Sequence, residues 1–260
     1  MAWDIKYYFR VGFFRAKEQF SDLSSTFLVY ILYGFFIWLL SYIWQRFNSA
    51  GSLFSYSEVV LYIGITELLF MSFLSGKQIT SSAEDFALFL ARPRSWLGRE
   101  LSMNLGTSFA KRGLFTISLI GFSYIFDSFP PDFIYFILRL FLILLLLSVP
   151  QALMSALFST LRLTFPMSDY FILPFGKLFL ALGGVFGPLS DYGEPWRSYF
   201  LKMPGSDLFF QPAHFVVKGG LYQLTYTDWI IRFVGFNGVL FLLVMYFYKI
   251  GRKNYQAWGG

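Results

Sequence analysis

The sequence predicts an all-α polytopic membrane protein, and three observations carry that prediction. Of 260 residues, 56% are hydrophobic and only 14% are charged, against about 25% charge in a soluble domain. Several apolar runs approach the roughly 20 residues that a helix needs to cross a bilayer. The lysines and arginines, finally, alternate between the intervals that separate those runs. The net charge of +6 is therefore read as topology, and no nucleic-acid partner is expected. There is no cysteine, which excludes disulfides, thiol catalysis and cysteine metal sites. The N-terminus lacks the short apolar core and cleavage site of a signal peptide, so the first span is expected to be retained.

Residues 3–20 are too charged to span. On a helical wheel Lys6, Arg10 and Lys17 form one narrow stripe with aromatic residues on both sides. That pattern suits an interfacial amphipathic helix with its cations toward anionic membrane lipid. A plain basic lead-in to the first span is the other reading.

Six spans follow, at about 26–45, 58–76, 105–126, 132–158, 169–189 and 229–249, in a single domain covering 1–260. The third is the shortest in apolar terms, because Lys111 and Arg112 cut into its start. The fourth is long, with Pro150 placed to kink it, and carbonyls freed there must be re-satisfied by neighbours. With both termini inside, the cytosolic segments hold Lys6, Arg10, Arg15, Lys17, Lys77, Arg92, Arg94, Arg99, Lys111, Arg112, Arg162, Lys249, Arg252 and Lys253. The outer segments hold only Arg46, Arg197, Lys202 and Lys218. This positive-inside bias predicts a cell (inner) membrane protein with cytoplasmic N- and C-termini. The outer segment 190–228 contains an apolar run, Leu208–Val217, too short to cross. Two readings stand for it: a re-entrant or interfacial helix, or a folded loop over the helices.

The longest charged interruption in the first half is Lys77 to Glu100. Ser81 to Glu84 has the spacing of a capping box, and Glu84 and Asp85 sit where carboxylates complement the helix dipole. Phe86, Phe89 and Leu90 fall at i, i+3, i+4 and form one apolar face. Pro93 ends the helix near Arg92, with Arg94 just beyond. A capped, one-faced helix between two spans needs a partner for that face.

Chemical machinery is sparse. No phosphate-binding G-x-x-x-x-G-K-[ST] is present, the single histidine, His214, has no metal-site companions, and no catalytic residue or bound metal is expected. Ionisable residues at membrane depth are functional candidates by default: Glu67 in span two, Arg139 in span four and Lys177 in span five. Glu67 and Arg139 lie at similar depth below the outer surface. They either face each other as an ion pair or find separate partners. Lys177 is a third polar candidate, or it snorkels to the inner headgroups.

Taken together, these features resemble the permease subunits of ABC-2-type exporters, and in particular small six-span bacterial permeases of that family. The signature Leu-Leu-x-Arg-Pro of their second cytosolic loop reads here Phe89-Leu90-Ala91-Arg92-Pro93. Phe89 replaces an aliphatic residue, and Ala83-Glu84-Asp85 stands where a glycine–acid pair is common. The resemblance implies a transport subunit that is not itself an enzyme. It would work as a homodimer or heterodimer with a second permease subunit, each half docked on a separate nucleotide-binding ATPase. ATP and magnesium would be held by that partner, and no cofactor by this chain. The 77–100 helix would be the coupling helix, with Phe86, Phe89 and Leu90 packed into the ATPase and Glu84, Asp85, Arg92 and Arg94 at the rim. The alternatives are an ion-gradient-driven transporter using Glu67 and Arg139, a membrane-embedded lipid-modifying enzyme, and a non-catalytic anchoring subunit.

Overall fold

The computed structural model describes residues 5–21, 23–47, 53–74, 95–165, 174, 178–179 and 181–259. Among these residues the secondary structure is all helical. The helices are α1 (Ile5–Ser21), α2 (Leu23–Phe47), α3 (Tyr56–Leu74), α4 (Trp96–Ile125), α5 (Phe133–Leu146), α6 (Ser148–Thr164), α7 (Trp196–Leu201), α8 (Pro204–Leu208), α9 (Phe210–Lys218) and α10 (Tyr226–Gly259), with a 3₁₀ turn at Leu189–Asp191.

Among the described residues, two stretches are long and apolar enough to cross a membrane: Phe133–Arg162, with mean hydropathy 2.5, and Tyr226–Lys253, with 2.0. Only 11% of the most apolar part of Tyr226–Lys253 is buried. A core helix of a soluble protein would hide that surface, so the bare apolar face of α10 marks a helix built for a non-aqueous surrounding.

The helix limits depart from expectation in three places. First, α4 begins at Trp96 rather than near 105, because Ser95 caps it: its side chain accepts from the Gly98 amide at 3.3 Å. Lys111 and Arg112 are therefore well inside a helix and do not flank one. Second, the stretch expected at 132–158 is broken at Leu147 into α5 and α6. Pro150 has no N–H for the carbonyl of residue 146 and its ring crowds that turn, so the helix gives way there. Third, residues 182–187 form turns, so the stretch expected to run to 189 stops short. Gly184 has φ of 80°, a left-handed conformation that a side chain would strain. That turn is held against α3 by Tyr62, whose hydroxyl donates to Gly184 O at 2.7 Å, and by Thr66, which donates to Val185 O at 3.3 Å.

Within the 190–228 segment expected to lie outside, the stretch from Gly205 to Val216 is largely buried, while Trp196 and Tyr199 are exposed. Phe210, Ala213 and Val216 share one face of α9 and are fully buried, and α9 packs against both α3 and α5. The helix ends at Gly219, whose φ of 80° and N–H to Phe215 O make a left-handed cap. At about 1.5–3 kcal/mol for each large apolar side chain removed from water, Leu208, Phe209 and Phe210 fix this segment strongly to the bundle.

At the other end α1 lies along the first half of α4 and runs in the same direction. Tyr8 meets Ser95, Gly12 meets Ser102 and Gly106, and Arg15 lies within electrostatic reach of Lys111. A Cβ on Gly106 would sit 2.0 Å from Gly12 O, so only two glycines allow the backbones to come this close.

Candidate functional site

Along α4, Glu100, Asn104, Ser108, Arg112 and Thr116 recur at every fourth position. At 3.6 residues per turn that spacing gathers them into one slowly drifting stripe. Along α6, Ser148, Gln151, Ser155 and Ser159 make a second stripe with spacings of three and four. The two helices pack together and the stripes meet.

The result is a polar seam in a dry interior. Glu100, only 4% exposed, accepts at Oε1 from Ser159 Oγ at 2.8 Å and from Asn104 Nδ2 at 3.5 Å. One turn on, buried Ser108 donates to Gln151 Oε1. Another turn on lies Arg112, 1% exposed and among the largest fully buried side chains. Its Nη1 donates to Leu144 O and to Ser148 Oγ, the latter at 2.8 Å, and its Nη2 donates to Leu147 O at 3.1 Å. Ser148 Oγ in turn donates to Leu144 O at 2.7 Å.

A buried guanidinium must have its donors satisfied. Its acceptors lie around the break at Leu147: Leu144 O before it, Leu147 O at it and Ser148 Oγ after it. Arg112 is thus anchored where α5 gives way to α6. The sequence places Arg112 among the cytosolic cations at the start of a span and Glu100 at the end of the charged interval, and singles out neither Ser108 nor Gln151. The four-residue period was the available signal.

The predicted pair is not formed. Glu67 is 4% exposed on α3, beside Tyr33, whose hydroxyl donates to Gly64 O and which lies within electrostatic reach of Glu67. Arg139 instead donates from Nε to Tyr135 O at 3.2 Å. Its Nη1 lies 2.5 Å from where a Cβ of Gly219 would be. The reason is α9, which wedges between α3 and α5 and engages Arg139 at its own C-terminal cap. At 1.5 Å per residue, Glu67 also lies about 16 Å from the start of its helix and Arg139 about 9 Å.

Of the other predicted residues, Lys6, Arg10 and Lys17 are exposed on α1. Glu84, Asp85, Phe86, Phe89, Leu90, Arg92, Pro93, Arg94 and Lys177 lie outside the described residues. The residues that follow the 77–94 interval are described and firmly held. The Ser95 amide donates to the Tyr8 hydroxyl of α1 at 3.1 Å. Trp96, 2% exposed, stacks on Tyr248 of α10 with centroids 5.8 Å apart and planes 2° apart.

The outer segment has its own polar cluster. Lys218 bridges to Glu58 at 2.7 Å and lies over the Phe54 ring at 5.0 Å. His214 Nδ1 bonds Gly220 O at 2.7 Å inside a box of Phe54, Phe210 and Tyr222 rings. Burial there pushes the imidazole pKa down, the Gly220 carbonyl opposing and Lys218 adding to the shift. His214 is thus a neutral packing residue. Among the described residues no group of three or more His, Cys, Asp or Glu is placed to hold a metal. What the seam offers is helix registration and a buried polar surface.

No protein-family model matches the chain, and no curated protein is significantly similar to it.

Proposed function

We propose that this chain is the transmembrane permease subunit of an ATP-binding-cassette exporter of the ABC-2 type. It would have six spans and both termini inside, and would move its substrate outward on the ATP hydrolysis of a separate subunit. The observation that carries the reading is the fastening at Ser95 and Trp96. These residues follow the interval in which the sequence predicts a capped apolar-faced helix, and they are tied to α1 by Tyr8 and to α10 by Tyr248. A push delivered to residues 77–94 by a docked ATPase would pass directly to three helices. The absence of a phosphate-binding loop explains why such a chain must borrow its energy. The polar seam between α4 and α6 supports the same reading, because it is polar surface that becomes available when those helices part. The ion-gradient alternative uses Glu67 and Arg139 as a coupled pair, whereas Arg139 donates to Tyr135 O on its own helix.

Affinity purification in mild detergent tests the reading. The expected result is a co-purifying P-loop ATPase whose recovery falls at least about tenfold with Asp85→Arg or Phe89→Glu, a loss of about 1.4 kcal/mol in binding. Recovery of the chain with no ATPase, or recovery unchanged by both substitutions, would overturn it.

A further inference from the structure

The cleft between α1 and α4 is an open groove of about 490 Å³, walled by apolar side chains that include Ile5, Phe9, Phe13, Leu105 and Phe109. Gly12 and Gly106, whose backbones meet, also line it. Phe9 and Phe13 line this groove and still leave 75% and 60% of their surface bare.

One wall carries a line of charge. Successive helical residues are turned by about 100°, so Lys6, Arg10 and Lys17 fall within about 40° of one another, on the strip that adjoins Phe13. All three are exposed. The acidic residue described on this helix, Glu18, is turned away from that strip and bonded to Arg15. An apolar trough edged by a cationic rail matches a molecule with an apolar tail and an anionic head, in a chain whose helices α5–α6 and α10 are apolar enough to cross a bilayer. We propose that this groove binds an anionic phospholipid of the surrounding bilayer. One acyl chain would lie between Phe9, Phe13, Leu105 and Phe109, and the headgroup phosphate would lie along Lys6, Arg10 and Lys17.

Photo-crosslinking of the whole protein in nanodiscs of equimolar phosphatidylglycerol and phosphatidylcholine tests this. Benzoylphenylalanine replaces Phe13 in one preparation and Ile231, which is 64% exposed on α10, in another. Mass spectrometry then identifies what is attached. The expected result is a lipid adduct at position 13 strongly enriched in phosphatidylglycerol, and an adduct at position 231 that follows the bulk composition. Replacing Lys6, Arg10 and Lys17 by glutamine removes surface charge without touching the packed face. It should cut the position-13 enrichment by about fivefold per cation. Attachment at position 13 to residues 77–94 or to a second copy of the chain would overturn the proposal. So would equal lipid ratios at the two positions, or enrichment that survives the triple substitution.

Discussion

The seam between α4 and α6 and the outer segment over α3 and α5 both bury polar groups, but they satisfy them differently. In the outer segment the bonds are short in sequence and go to main chain. Gln211 takes the Tyr222 N–H at 2.9 Å and gives to the Tyr222 carbonyl at 3.0 Å, while His214 bonds Gly220 O. Such bonds fix one loop conformation and hold it rigid. In the seam, Ser108–Gln151 and Glu100–Ser159 join side chains of two separate helices, while Arg112 and Ser148 reach backbone near Leu147. Side-chain bonds across a helix pair hold register without locking either helix internally. The difference separates a region built to stay fixed from one whose halves can be parted at the cost of a few hydrogen bonds, each worth about 1 kcal/mol net.

Removing Arg112 tests that contrast most strongly. Arg112→Leu leaves part of the acceptor capacity of Leu144 O, Leu147 O and Ser148 Oγ unused in a buried site. The expected loss is about 3 kcal/mol or more by thermal unfolding in detergent, with Arg112→Lys recovering part of it because it keeps a cation but not the fork. Unfolding of Arg112→Leu within about 1 kcal/mol of the parent would make the guanidinium incidental to the break at Leu147.

In the outer segment the matching change is Gln211→Ala, which strands both polar groups of the Tyr222 peptide. It should cost about 2 kcal/mol and raise amide exchange around 219–225 while leaving the α4–α6 region as protected as before. A rise in exchange across α4 and α6 would show that the two regions are one cooperative unit.

The smallest effect is a pH dependence. Asp207, 6% exposed, has an Oδ1 with no hydrogen-bond partner among the described residues. Burial pushes its pKa up from 3.8 to about 6, nearby Arg232 partly opposing. The folded state therefore holds this proton more tightly than the unfolded chain. Stability should rise as pH falls from about 6 toward 4, where the unfolded carboxyl also protonates. Asp207→Asn should raise the unfolding free energy at pH 8 by about 1–2 kcal/mol, and the gain should vanish near pH 4. An equal gain at both pH values would place its cause elsewhere than in the charge.

Much of this was readable from residue patterns, and the failures have physical reasons. The helical class follows from the apolar runs, and the α1 limits from the stripe of Lys6, Arg10 and Lys17. The early end before 189 is written in Gly183, Gly184, Gly187 and Pro188, a breaker cluster whose weight was underestimated beside its apolar neighbours. The burial of Arg112 is not legible locally, because its acceptors Leu144 O, Leu147 O and Ser148 Oγ lie around the α5–α6 break, more than thirty residues away. The Glu67–Arg139 pairing failed for a similar reason. Depth can be counted from helix ends, but a wedge such as α9 is a tertiary event.

The glycine crossing of α1 over α4 has a mechanical consequence. With Gly12 and Gly106 in backbone contact, no side chain stands between the two helices to be compressed or to change rotamer. Such a contact is stiff against pressing together and offers little resistance to swivelling. It is a fulcrum: a tilt imposed on α1 at its Tyr8 end is returned at its Arg15 end with reversed sense, and the lever arms are set by where two hydrogen atoms replace side chains.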